Sequence, residues 1–187
     1  FTLIVNNRPD GEEPGQPGAA EIEAAAAAAG LSYVAIPIVP GGFGEAEIEA
    51  MRAALETATG PVLGYCRSGT RSAFLWALDG LLTGPVPADP ALRCRVVYVS
   101  PLKALASDVE RNLRSPLVGI RQAAQRLGLE VPEVTVGVRT GDTPPSERRA
   151  FATRPPDVLI TTPESLFLVL TSGARAGLAG VRTVILD

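Results

Sequence analysis

The chain of 187 residues contains no histidine and only two cysteines. Without histidine it cannot form a Ser-His-Asp or Cys-His catalytic site, nor a zinc site with a histidine ligand. Two cysteines are also too few for a zinc site with four cysteine ligands. We therefore expect no metal catalysis and no cofactor.

Long apolar runs are absent as well. No apolar stretch reaches the ~18 residues that a membrane-spanning helix requires, and no signal peptide precedes Phe1. The hydrophobic share of 46% and the net charge of −3 are typical of a folded, mildly acidic globular chain, which argues against non-specific binding to nucleic acid. From these features we expect a cytoplasmic protein that does not bind a membrane.

The most informative segment is YCRSGTRS at residues 65–72. A short apolar run, 61–65, reads as a buried strand before it, and apolar residues at helical spacing follow from Ser72 to Leu82. Backbone N–H groups at the start of a helix have no partner within the helix and attract anions. A thiolate at Cys66, with Arg71 nearby, should therefore have a pKa below the usual value of about 8.5. The segment predicts a nucleophilic cysteine, and the alternative is a small buried hydrophobic residue.

Three motifs in order carry a family resemblance for residues 1 to about 78. They are IVNNRPDGE at 4–12, IPIVPGG at 36–42 and YCRSGTRS at 65–72. They resemble the phosphatase-like sulfurtransferase domain of beta-lactamase hydrolase-like proteins. Members of that family have a further strand and helix before the first motif. Because the chain starts at Phe1 without a methionine, we expect a domain that is incomplete at its N-terminus.

Within this resemblance, spacing separates two chemistries. Tyrosine-type and dual-specificity cysteine phosphatases have five residues between the cysteine and the arginine, and rhodanese-type sulfurtransferases have four, as residues 67–70 do here. The count favours sulfur transfer, although phosphatase-like hydrolysis remains open. A phosphatase also requires a general acid. The stretch 37–44 contains no Asp or Glu, so only Asp10 or Glu45 could supply one, if the fold brings it to the loop.

The resemblance implies roles for individual residues of this loop. Cys66 would carry a persulfide taken from a sulfur donor such as a persulfide or thiosulfate, Arg71 would stabilise the anionic donor or acceptor, and Ser72 would hydrogen-bond near the thiolate. The anion-binding loop would consist of Arg67, Ser68, Gly69 and Thr70.

From about residue 73 onward the chain resembles a different family, the first RecA-like domain of large helicase-related proteins in the DEAD/DEAH branch of superfamily 2. VYVSPLKAL at 97–105 matches motif Ia, and TTPESL at 161–166 matches motif Ib. VRTGDT at 138–143 matches the intervening strand and turn, and VILD at 184–187 matches the opening of the Walker B motif. The resemblance implies nucleic-acid contacts by Lys103, Thr162, Glu164 and Ser165, with Asp187 as a Walker B remnant. For Thr162 and Ser165, helix capping is the alternative.

The helicase half departs from its family where ATP would bind. Residues 66–71 stand where such helicases have a G-x-G-K-T loop, and Lys103 is the only lysine in the chain. No lysine is therefore placed to contact the β and γ phosphates. The catalytic Glu that follows the Walker B Asp is also missing. We expect no ATP hydrolysis and only weak binding of single-stranded nucleic acid.

The alternation of strand-like and helix-like runs predicts an α/β fold, with a mostly parallel sheet covered by helices on both faces. We expect a phosphatase-like domain at 1–82 joined to a partial RecA-like domain at 91–187, with the Pro/Gly-rich segment 83–90 as the boundary. The change of family falls at about residues 70–75. A recombined chain without function is a third possibility. Cys94 has no evident partner and is interpreted as structural.

Overall fold

The computed structural model describes residues 1–39, 44–127, 130 and 132–186. The chain divides into two compact units, Phe1–Asp79 and Gly80–Asp187, which are described separately below. The division falls inside a helix, Thr70–Thr83. Among the described residues, no helix is both long and apolar enough to cross a membrane.

The first unit is built on a three-stranded parallel sheet. Its strands are β1 (Leu3–Asn6), β2 (Ser32–Ala35) and β3 (Val62–Tyr65), in the order β2-β1-β3. Its helices are α1 (Ala19–Ala28), α2 (Glu45–Thr57) and α3 (Thr70–Thr83), the last of which continues into the second unit. Parallel strands need long crossovers, which the helices provide.

The middle strand of this sheet is the most buried. Leu3 and Val5 of β1 are enclosed, as are Ile48 and Met51 of α2. Helix α1 ends where Gly30 takes a φ of +73°, a left-handed conformation that glycine adopts without strain. The parallel register of β1 and β3 places their carboxyl ends side by side, with Asn6 opposite Tyr65.

The second unit is a four-stranded parallel sheet. Its strands are β4 (Val96–Val99), β5 (Val136–Arg139), β6 (Val158–Thr161) and β7 (Thr183–Leu186), in the order β5-β6-β4-β7. Its helices are α4 (Lys103–Leu127), α5 (Pro145–Thr153) and α6 (Pro163–Leu170), with short 3₁₀ helices at Pro90–Leu92 and Gly173–Leu178. Strands β4 and β6 are buried along their whole length, as expected for central strands covered on both faces.

A buried carboxylate holds the start of this sheet together. Asp157 is fully enclosed and accepts hydrogen bonds from Arg95 Nη2 at 2.8 Å and from the Thr135 N–H and hydroxyl at 2.8 and 2.7 Å. Arg93 makes a further ion pair with it at 3.2 Å. Burial would raise the pKa of Asp157, but its hydrogen bonds to Thr135 and Arg95 and the charge of Arg93 lower it. Asp157 is therefore a structural anion.

The predicted α/β class is confirmed, with every described pairing parallel. Two findings refine it. The strands form two sheets instead of one, and the regular pairing of β2 ends at Ala35. Beyond that point the Ile36 and Ile38 N–H groups still donate to the carbonyls of Asn6 and Asn7, at 2.8 and 3.1 Å, so the chain stays attached to β1 after regular pairing stops.

Candidate functional site

Cys66 lies in the turn between β3 and α3. Gly69, in the same turn, has a φ of +87°, a conformation that side chains other than glycine adopt only with strain. The Gly69 N–H donates to the Cys66 sulfur, with 3.1 Å between N and Sγ. A strand, a tight turn and a helix therefore direct backbone dipoles at one sulfur atom, as the sequence predicts.

The Cys66 thiol is buried, with 8% of the residue exposed. Burial is the largest influence on its pKa and would raise it, but backbone N–H groups of Ser72, Arg71, Ser68 and Gly69 together lower the pKa below the usual thiol value. The stabilisation comes from main-chain groups at a helix N-terminus. The loop can therefore hold a thiolate.

Arg71 is anchored at two points away from the sulfur. Its Nη1 donates to the Ile38 carbonyl at 2.8 Å, and its Nη2 donates to Glu12 Oε1 at 2.6 Å. We expected Arg71 to act on the thiolate directly, whereas the structure engages its guanidinium with Glu12 and the backbone. Sequence reasoning missed Glu12, although it is the last residue of the first family motif.

Glu12 belongs to a wider cluster of charges. Its Oε2 accepts from Arg8 Nε at 2.9 Å. Glu13 accepts from Arg8 Nη2 and pairs with Arg67 Nη2 at 2.7 Å. Three guanidinium groups and two carboxylates thus form one connected cluster, which includes Arg67 and Arg71 of the loop.

Ser72 is placed differently from the prediction. Its hydroxyl is buried and has no hydrogen-bond partner among the described residues, so it does not bond to the thiolate. It lines a cavity of about 460 Å³ together with Met51, Leu55 and Trp76. The reason is helix geometry, since the Ser72 Cβ points to the sheet, 3.6 Å from where a Cβ on Gly64 would stand. Its main-chain N–H is the group that acts on Cys66.

Neither of the two candidate acids, Asp10 and Glu45, has a contact with the Cys66 sulfur among the described hydrogen bonds. Ser68 donates its hydroxyl to Thr70 Oγ1 at 3.1 Å. Asp10 accepts the Ala19 N–H at 2.8 Å, which commits it to the start of α1. Glu45 is the exposed first residue of α2. Of the second family motif, Pro40, Gly41 and Gly42 lie outside the described residues.

Cys94 contrasts with Cys66. It is completely buried in the apolar core of the second unit, in a cluster with Val97, Phe151 and Leu159. Burial and the nearby charge of Asp157 raise its pKa to about 12. The structural interpretation of Cys94 fits this environment.

In the second unit, polar residues gather at the carboxyl edge of the sheet. Lys103 follows β4 and Asp142 follows β5, and the Lys103 Nζ lies 2.9 Å from both carboxylate oxygens of Asp142. Arg148 donates Nε to the Thr143 carbonyl at 2.7 Å and so fixes the turn that carries Asp142. Both members of the ion pair are exposed, at 55% and 77% of their side chains.

Motif Ib occupies the start of α6. The Thr162 hydroxyl accepts from the Ser165 N–H at 3.4 Å and donates to the Ser165 hydroxyl oxygen at 3.2 Å, and both residues are buried. The Thr162 side chain therefore caps α6, which fits the helix-capping alternative, and neither side chain faces solvent. Glu164 is exposed. Asp187, the predicted Walker B remnant, lies outside the described residues.

Comparison with known families divides the chain within helix α3, where the two compact units also meet. Residues 1–83 match the phosphatase-like domain of beta-lactamase hydrolase-like protein, and residues 69–187 match the DEAD/DEAH box helicase family. The two matches overlap over 69–83, which is Gly69 together with α3.

Individual relatives agree with this division. The "Lhr helicase/ probable uracil glycosylase" of Mycolicibacterium smegmatis is 64% identical over 119 residues, which cover 63% of this chain and 8% of that protein. The beta-lactamase hydrolase-like protein of Xylella fastidiosa is 45% identical over 89 residues, which cover 48% of this chain and 21% of that protein. The chain thus spans a small part of each relative.

A solved structure of Mycobacterium smegmatis helicase Lhr, bound to ssDNA and AMP-PNP, superposes with a TM-score of 0.55 at 51% identity, covering 81% of this chain and 16% of that one. Three observations indicate a helicase-family domain in the second unit. They are the parallel α/β architecture, the motifs at the carboxyl edge of the second sheet and the match over 119 of 187 residues. Through residues 69–187, the chain belongs to the DEAD/DEAH box helicase family.

Proposed function

We propose that the helicase-family part of this chain binds single-stranded nucleic acid weakly and does not hydrolyse ATP. The observation that carries the proposal is the exposed Lys103 ammonium at the carboxyl edge of β4. Ligands of open parallel sheets bind at this edge. The related Lhr structure contains ssDNA, although this chain covers only 16% of it.

The charges at this edge limit the affinity. Asp142 already neutralises Lys103, Glu164 is an exposed anion, and the Thr162 and Ser165 hydroxyls are turned inward. Each phosphate neutralised on a single strand contributes about −0.7 to the slope of log K against log salt. With one lysine available, we expect a shallow slope and a Kd well above micromolar at physiological salt.

Fluorescence anisotropy with a labelled oligo(dT) tests this proposal. Lys103→Met should weaken binding severalfold, whereas Arg111→Met, which removes an exposed charge from α4, should have a smaller effect. Sub-micromolar affinity at physiological salt, or equal effects of the two variants, would contradict the proposal. Mg²⁺ and AMP-PNP should leave the melting temperature unchanged, because residues 66–71 contain no lysine to contact the nucleotide phosphates.

We propose a second function for the first unit, in which Cys66 is the nucleophile of a sulfur transfer. The observation that favours it is the Gly69 N–H 3.1 Å from the Cys66 sulfur, in a loop whose N–H groups lower the thiol pKa. The thiolate attacks the outer sulfur of thiosulfate, the S–S bond breaks, and sulfite leaves with the bonding electron pair. An acceptor such as cyanide then takes the sulfur and regenerates the thiolate.

Mass spectrometry of the intact chain tests the first step. Thiosulfate should add one sulfur atom to the chain, a reductant should remove it, and Cys66→Ser should abolish the gain. Cys94→Ser is the matched control and should load normally, since Cys94 is buried with a pKa of about 12. Faster turnover of a phosphate ester than of thiosulfate would favour the phosphatase-like alternative.

A further inference from the structure

A glutamate joins two arginines beside the Cys66 loop. Glu12 accepts from Arg71 Nη2 through Oε1, at 2.6 Å, and from Arg8 Nε through Oε2, at 2.9 Å. The two ends of the Glu12–Arg71 contact lie 59 positions apart in the sequence. Only 20% of the Glu12 side chain is exposed, so the contact belongs to the interior of the site.

Two anchors define the position of a planar guanidinium better than one. Arg71 is held by Glu12 at one terminal nitrogen and by the Ile38 carbonyl at the other. We propose that Glu12 is a positioning residue, which holds Arg71 ready for an anion bound in the Cys66 loop. This inference rests on the second proposed function, and it adds a residue to that site.

The competing role for a glutamate in a phosphatase-like site is a general acid, which must be protonated before it acts. Burial would raise the pKa of Glu12, but the hydrogen bonds and charges of Arg8 and Arg71 lower it. Among the described residues, the charged groups bonded to Glu12 are these two arginines, and Arg8 also binds Glu13. Glu12 is therefore ionised at neutral pH and holds no proton to donate to a leaving oxygen.

The chain offers a matched control for Glu12. Glu13 is also a carboxylate with two arginine partners, Arg8 and Arg67, and has no contact with Arg71 among the described residues. Glu12→Gln and Glu13→Gln each remove one charge from the same cluster. A role that acts through Arg71 predicts an effect of the first substitution alone.

Protection of Cys66 by inorganic phosphate measures anion binding without any sulfur transfer. Iodoacetamide is neutral, so its rate without phosphate reports the thiolate, and we expect this rate to change less than twofold in both variants. Glu12→Gln should raise the phosphate concentration for half protection about tenfold, the effect of one charge-assisted hydrogen bond. Glu13→Gln should raise it less than twofold. In an Arg71→Met background, Glu12→Gln should no longer raise the phosphate concentration for half protection, because the Glu12–Arg71 contact is already lost.

Three outcomes would overturn the inference. They are a failure of phosphate to protect the unmodified chain, equal effects of the two glutamine variants, and a Glu12→Gln effect that persists in the Arg71→Met background. A loss of basal alkylation in Glu12→Gln would assign the residue to stability of the loop instead. If phosphate protects as expected but thiosulfate does not load Cys66, the sulfur-transfer function fails and the role of Glu12 stands.

Discussion

In both units the candidate group follows the carboxyl end of a parallel strand. The first unit surrounds a buried group with main-chain N–H groups, whereas the second pairs an exposed group with a charged side chain. In the first unit the Cys66 thiol is buried, and backbone N–H groups lower its pKa below the usual thiol value. In the second unit a cation, Lys103, is exposed and paired with a side chain, Asp142. Main-chain dipoles are fixed by the turn and are little screened, whereas an exposed ion pair contributes only about 0–1 kcal/mol. The first arrangement is therefore suited to chemistry and the second to weak binding.

The largest expected effect is the difference between the two cysteines. At about pH 6, iodoacetamide should modify Cys66 and leave Cys94 intact in the folded chain. Burial and the charge of Asp157 raise the pKa of Cys94 to about 12, so very little of it is thiolate at this pH. Peptide mapping measures both rates, and denatured chain, in which the two should react alike, is the control. Equal rates in the folded chain would refute the nucleophile interpretation.

Asp157→Asn should destabilise the second unit by about 3–5 kcal/mol, because it leaves Arg93 and Arg95 without a compensating charge. The exposed pair partner Asp108, changed to Asn, is the control and should cost less than about 1 kcal/mol. Urea unfolding measures both, and alkylation of Cys66 should be retained in the native state.

Asp157→Asn should also change how the stability of the second unit depends on pH. The pKa of Asp157 is lower in the fold than in the unfolded chain, so its stabilisation is present above about pH 3.9 and is lost as the pH falls through the folded value. Unmodified chain should therefore lose stability in acid more steeply than Asp157→Asn. Parallel acid curves for the two proteins would contradict this account.

Arg71→Lys should reduce sulfur transfer about tenfold while alkylation of Cys66 continues. Lysine keeps the charge but cannot hold Glu12 and the Ile38 carbonyl from two sides of a planar group. A charge-assisted hydrogen bond of about 1.5 kcal/mol corresponds to this factor. Thiosulfate loading and iodoacetamide rates, measured on the same sample, separate the two effects, and a parallel fall in both would show that the loop itself had changed.

The smallest effect is expected at the exposed ion pair. Asp142→Asn frees Lys103 and should strengthen binding of oligo(dT) about two- to fivefold, in line with the strength of exposed pairs. Asp108→Asn removes the same charge from α4 and serves as the control. Anisotropy at low salt measures the difference. Weaker binding by Asp142→Asn would mean that the aspartate organises the edge instead of competing for the lysine.

Local features were predicted well. The strand, turn and helix around Cys66 follow from apolar spacing and from turn residues within a few positions of each other, although β3 is partly exposed and not buried as predicted. The side-chain directions were not predictable in the same way. Ser72 and Thr162 are both near a helix start, yet the first faces a cavity and the second caps its own helix. The spacing of apolar residues predicts that a residue lies on a helix, but the contacts of its side chain depend on how the helix packs against the neighbouring sheet.

The sequence by itself determined the chemistry that is possible. The lack of histidine, the single lysine and the four residues between Cys66 and Arg71 follow from composition and order alone. Only the tertiary structure decided the partners, Glu12 for Arg71 across 59 positions and Asp142 for Lys103 across 39. The physical reason is that an ion pair depends on distance in space, and parallel sheets bring the ends of strands together that are remote in the chain.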